Sequence, residues 1–185
     1  MIKLKKKTNN VIQFMDRMYD FIISHPQFRI KTTTKSEAQV QAELRPIIIS
    51  YLEFYFRDQG LKDPIKKAHK SFYWEGQEGK YGEPKRPVFG ARNYPDFIID
   101  EPYKMAIEYK QSPNGSVIKQ GIGQSIMHTA SGDFDYVFYM FHDQSDSGAI
   151  RASINSPQGI EVAMIKRMWE EFNVRIRLFQ KNDIK

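Results

Sequence analysis

The spacing of apolar residues changes along this chain, and each change marks an element. Over residues 11–24, Val11, Phe14, Met15, Met18, Phe21 and Ile22 recur at steps suited to one face of a helix, which should stop before Pro26. A polar linker with consecutive threonines follows at 31–35, and Ser36 or a neighbouring threonine can cap the next helix. That second helix covers residues 37–56, with Val40, Leu44, Ile47, Ile48 and Tyr51 as its buried stripe. Pro46 lies inside the pattern and predicts a kink or broken turn near residues 42–45.

The aromatic run Phe72, Tyr73, Trp74 then predicts a strand within 68–75. Two short apolar runs, 94–99 and 105–110, flank the turn-forming segment 100–104 and read as a hairpin. Residues 111–115 are turn-like. From 116 to 130 the helical spacing returns, with Val117, Ile118, Ile122, Ile126 and Met127 apolar and Gly121 and Gly123 allowing close approach to a sheet. Residues 135–142 are almost continuously apolar, as a central strand buried on both faces should be. A helix over 157–172 carries Ile160, Met164, Ile165, Met168 and Trp169 on one side, and a last strand over 173–179 places Arg175 and Arg177 on one face. Alternating helices and strands in this order predict an α/β fold, a mixed sheet of about five strands flanked by helices.

The 185 residues are 41% hydrophobic, enough for one domain with a proper core. Within it, 1–34 form a basic arm and a helix, 35–142 the core, and 143–185 a closing helix and strand. The absence of cysteine excludes disulfides and thiolate zinc sites. No apolar run approaches a membrane span, and the basic start leads into no signal-peptide core, so a soluble, intracellular (cytoplasmic) protein is expected, neither secreted nor in a membrane. A net charge of +6 and a pI near 9.3 favour an anionic partner such as nucleic acid. Lys3, Lys5, Lys6 and Lys7 can contact phosphates, although such a terminus is more often simply solvated. Residues 76–93 form a long aperiodic loop whose Lys80, Tyr81, Lys85, Arg86 and Arg92 either follow a nucleic-acid backbone or face solvent.

Charged residues interrupt the hairpin. If residues 100–104 form its loop, Ile99 pairs with Met105 and Asp96 falls opposite Glu108, with Lys110 on the same face. Two carboxylates facing each other destabilise a strand pair unless a cation sits between them. Their oxygens, with the backbone carbonyl of Tyr109 and several waters, suit Mg²⁺ or Mn²⁺ better than zinc.

Pro95-Asp96 followed by Glu108-Tyr109-Lys110 resembles the signature of the PD-(D/E)XK nuclease superfamily, and residues 37–142 resemble its αβββαβ, restriction-endonuclease-like core. The resemblance implies a Mg²⁺-dependent DNA endonuclease, with Mn²⁺ as a possible substitute. Asp96, Glu108 and the Tyr109 carbonyl would be metal ligands, with Lys110 orienting water or stabilising developing charge. Tyr109 stands where an aliphatic residue is common.

The resemblance also implies a carboxylate from the opening core helix. At about 100° per residue, Glu37 lies within about 20° of Leu44, whereas Glu43 is turned about 100° away. Glu37 is therefore the candidate, although an acidic residue in a first helical turn also suits the dipole. Gln120, Gln124 and His128 form a polar stripe on the helix after the acidic strand. The superfamily often uses a glutamine there, which selects Gln124; His128 reads as structural.

One catalytic set per chain, set against two strands of a duplex, implies a homodimer. Its contact would be the helix of Phe14, Met18, Phe21 and Ile22 or that of Met164, Met168 and Trp169. Restriction-type, junction-type and exonuclease activities remain open. The alternative is a DNA-binding or assembly protein that keeps the fold without turnover.

Overall fold

The computed structural model describes residues 9–26, 28, 35–75, 77, 94–145 and 147–179. Within them the strands are β1 (Phe72–Trp74), β2 (Phe97–Ile99), β3 (Met105–Ser112), β4 (Tyr136–Asp143) and β5 (Val174–Phe179). The helices are α1 (Asn9–Ser24), α2 (Glu37–Asp58), α3 (Pro64–Ser71), α4 (Gly115–Ala130), α5 (Ala149–Asn155) and α6 (Ile160–Phe172). The strands form a mixed sheet in the order β1-β2-β3-β4-β5. β1, β2 and β3 pair antiparallel, whereas β3–β4 and β4–β5 are parallel. Parallel neighbours need crossovers, which α4 supplies for the first pair and α5 with α6 for the second.

Strand alternation assigns side chains to two cores. On one face Phe97, Ile99, Met105, Ile107, Tyr109, Phe138 and Met140 meet Phe14, Met18, Leu44, Ile48 and Tyr51 of α1 and α2. On the other, Ala106, Val137, Tyr139, Phe141, Val174 and Ile176 meet Ile122 of α4 and Ile165 and Met168 of α6. Every residue of β4 is buried, which explains its nearly unbroken apolar sequence. Each full burial of a large apolar side chain contributes about 1.5–3 kcal/mol, so this sandwiched strand is a main source of cohesion.

Several sequence expectations change. The strand expected within 68–75 is confined to β1, because Asp63 caps α3 and Pro64 opens it, carrying helix through Ser71. The helix expected over 157–172 begins at Ile160, and α5 precedes it as an unforeseen element. β3 continues through Ser112, into the segment expected to turn. α2 runs unbroken past Pro46. Both Pro46 and Ala42 are exposed, so the carbonyl that Pro46 cannot serve is open to water. Of the two glycines expected to let α4 approach the sheet, only Gly121 lies against it; Gly123 faces open space.

β5 alternates as expected, and both of its arginines reach Asp16 of α1. Arg175 Nη2 lies 2.8 Å from Oδ2, and Arg177 Nη2 lies 2.6 Å from Oδ1. Phe14, Met18 and Ile22 of α1 are buried in this chain's own core, which removes them as a contact for a second copy. Ile160 and Met164 of α6 stay exposed, at 72% and 41%. No described helix is long and apolar enough to cross a membrane. Residues 1–8 and 78–93, with the lysine arm and the basic loop, lie outside the described residues.

Candidate active site

β2 and β3 pair Ile99 with Met105, Ile98 with Ala106 and Phe97 with Ile107. One further step along that register sets Asp96 against Glu108. Asp96, just before β2, is 8% exposed, and its Oδ2 accepts a hydrogen bond from the Tyr109 amide at 2.7 Å. Glu108 is 3% exposed, and its Oε1 lies 2.6 Å from His128 Nε2 near the end of α4. Lys110, two positions along the same face, donates to Glu37 Oε1 at 2.9 Å. The hairpin and the start of α2 therefore bring Glu37, Asp96, Glu108 and Lys110 together.

Local sequence explains why Glu37 arrives there. Ser36 accepts from the Gln39 amide while the Gln39 side chain accepts from the Ser36 amide, a reciprocal cap that fixes the first turn of α2. The preceding residue is tied to β3, since Gln111 Nε2 donates to the Lys35 carbonyl at 2.6 Å. Glu43 is engaged elsewhere: Lys35 Nζ reaches its two oxygens at 2.6 and 2.9 Å.

Burial, followed by the charge of Glu108, pushes the Asp96 carboxyl up from 3.8 to about 7; Lys110 and the Tyr109 amide act in the opposite sense. Burial works against the Lys110 ammonium, but Asp96, Glu37 and Glu108 outweigh it and raise its pKa. The centre is a buried carboxylate pair resisted by its own repulsion and partly relieved by one ammonium.

Gln124 lies one turn before His128 on the same side of α4, and its Oε1 is buried without a hydrogen bond among the described residues. Gly121 brings α4 onto Tyr139, which pairs with Glu108 in the β3–β4 register. The Tyr139 hydroxyl is likewise buried and unpaired. Burial, then the charges of Glu108 and Glu37, raises its pKa. Tyr109 sends its side chain to the opposite face, where its hydroxyl donates to Gln111 Oε1 at 3.1 Å, so its bulk fills the core and leaves the acidic face clear.

A hard divalent cation fits this donor set. Asp96 and Glu108 each commit one oxygen to a protein donor, and no hydrogen bond from a described residue reaches Asp96 Oδ1 or Glu108 Oε2. Among the described residues no three His, Cys, Asp or Glu side chains form a ready metal cluster. Mg²⁺ commonly uses only one or two carboxylates and keeps several waters, so the pair is a sufficient protein contribution.

Two contributors escaped the sequence reading. His128 shared the stripe spacing of Gln124, but nothing local marked it as the partner of Glu108. Tyr139 was one aromatic in an apolar strand; only the parallel register places it beside the carboxylate. Comparison with protein-family models, curated proteins and solved structures gives no match for this chain.

Proposed function

We propose that this chain is a divalent-metal-dependent nuclease of the PD-(D/E)XK kind, a DNA endonuclease working with Mg²⁺ or, in its place, Mn²⁺. The observation that carries the proposal is the meeting of Glu37, Asp96, Glu108 and Lys110 from separate elements at one largely buried point. The succession α2, β1, β2, β3, α4, β4 supports it, being the order of a restriction-endonuclease-like αβββαβ core with α3 added. Asp96, Glu108 and the Tyr109 carbonyl would hold the cation. Bound there, Mg²⁺ would supply Lewis acidity at the scissile phosphate.

The remaining work falls to the chain's own groups. Lys110, kept protonated by the surrounding carboxylates, can orient an attacking water or take up charge developing on the phosphate. Glu37 holds that ammonium in place. The unpaired Gln124 oxygen can accept a hydrogen bond from a water in the site. DNA is the partner that the net charge of +6 suits best.

A homodimer would supply a second site for the second strand. Its contact would lie on α6, where Ile160 and Met164 are exposed beside a groove of about 530 Å³ between α4, α5, α6 and β5.

Cleavage of plasmid, branched and single-stranded DNA in Mg²⁺ tests the reading. Asp96→Ala and Lys110→Ala should lose cleavage yet bind DNA within about tenfold of wild type, because phosphate contacts set most of the affinity. Retained cleavage by both variants defeats the assignment. A wild-type protein that binds DNA but never cuts would point instead to a DNA-binding or assembly role. Sedimentation at micromolar concentration tests the dimer, which is ruled out by a strict monomer that still makes double-strand breaks.

A further inference from the structure

His128 is 1% exposed, Glu108 is 3% exposed, and their polar atoms are 2.6 Å apart. Glu108 emerges on a sheet face otherwise built from Ala106, Val137, Tyr139 and Phe141. For stability alone this pairing is a poor solution, since buried ion pairs commonly lose to apolar residues of similar volume once desolvation is counted. The geometry is nevertheless specific. α4 runs back along β3, Gly121 lets it settle on Tyr139, and that seating carries the last turn of the helix over Glu108. With Glu108 ionised, His128 Nε2 must carry the shared proton and donate it. Oε1 is thereby occupied, and Oε2 is left without a hydrogen bond from a described residue.

We propose that His128 is a positioning residue for Glu108: its Nε2–H fixes the carboxylate rotamer and so presents Oε2, together with Asp96, to a divalent cation. This rests on the metal-dependent reading above and adds to it a residue that touches neither the cation nor the DNA. A donor that holds a ligating carboxylate acts by reducing the ligand's freedom and by setting which oxygen is available.

Calorimetric titration of Mn²⁺ into the metal-free protein, with no DNA present, tests the proposal on wild type, His128→Gln, His128→Asn and His128→Leu. The glutamine amide can place its donor near the position of Nε2, whereas the asparagine donor falls short, near Nδ1. The expected result is binding by His128→Gln within about threefold of wild type and about 10–100-fold weaker binding by His128→Asn and His128→Leu. Thermal unfolding confirms that each variant is folded; should His128→Leu fail to fold, the Gln–Asn contrast alone decides. Asn binding as tightly as Gln overturns the positioning role while leaving the metal site standing. A wild-type protein that takes up no Mn²⁺ removes the metal-dependent reading itself, and the proposal with it.

Discussion

Lys110 Nζ stands 2.9 Å from Glu37 Oε1, joining β3 to the first residue of α2 across 73 positions of sequence. Glu43, the other acidic candidate on that helix, is held by Lys35 instead. Glu37→Gln is therefore expected to slow the proposed Mg²⁺-dependent cleavage by about tenfold or more, and Glu43→Gln by no more than about twofold. Initial rates on plasmid DNA measure both, and the reverse ranking would transfer the role to Glu43.

Asp96→Asn should stabilise the metal-free protein while abolishing the proposed cleavage. The native Asp96 pKa is raised to about 7, so between about pH 4 and 7 the folded state binds more protons than the unfolded. Stability from this group is present at low pH and lost as pH rises through about 7. At pH 8, in the presence of chelator, the neutral amide should gain about 1–3 kcal/mol in urea denaturation. A loss of stability would contradict the repulsion assigned to Asp96 and Glu108.

His142 acts with the opposite sign. Burial lowers its pKa from 6.5 to about 4, with Asp143 opposing the shift. The unfolded state then binds more protons between about pH 4 and 6.5, so this contribution to stability is present above pH 6.5 and lost as pH falls. His142→Asn should remove up to about 1.4 kcal/mol per pH unit of the rise in stability between about pH 4 and 6.5, leaving the opposite slope of Asp96 uncompensated. The Asp96 and His142 windows overlap with opposed slopes, so the wild-type curve should be flatter than that of Asp96→Asn. An unchanged acid limb in His142→Asn would refute the assignment.

Gly121 and Gly123 should respond in opposite directions to alanine. A Cβ on Gly121 would stand 2.3 Å from the Tyr139 hydroxyl, and Tyr139 is fully buried, so Gly121→Ala is expected to cost about 1–3 kcal/mol. Gly123 has nothing within 4 Å, and alanine there should add about 0.5–1 kcal/mol through helix propensity. Paired denaturation curves check both, and equal effects would remove the close approach of α4 to β4 as the cause.

Sequence made some features legible because a single local rule governs them. The Asp96–Glu108 opposition follows from loop length and alternation, and Glu37 over Glu43 follows from helical angle. α3 was hidden because Phe72, Tyr73 and Trp74 are strong strand residues, and a short helix burying only Ala68 and Ser71 leaves a faint apolar pattern. α5 has no fully buried residue and, with Ile150 only partly buried in seven residues, is too short to leave a stripe to read. His128 and Tyr139 depend on how α4 seats on the sheet and on the β3–β4 register, which no window of sequence contains.

The strands lie across the sheet in the order in which they occur along the chain, so each newly made strand finds its neighbour already present. α1 is the exception. Its Asp16 must await Arg175 and Arg177, and its Tyr19 hydroxyl must await the Leu178 carbonyl, 159 residues later. The residues from Glu37 to Lys110 assemble within α2 and the first three strands, while α1, seated on α2 through Phe14 and the Tyr51 hydroxyl, completes its contacts only when β5 arrives. During ribosomal synthesis the Glu37–Lys110 cluster is thus organised before the fold is sealed, and loop-closure entropy makes the contacts between α1 and β5 the last to form. Pulse-labelled amide exchange during refolding would record this as late protection of β5 relative to β2 and β3; earlier protection of β5 would exclude that order.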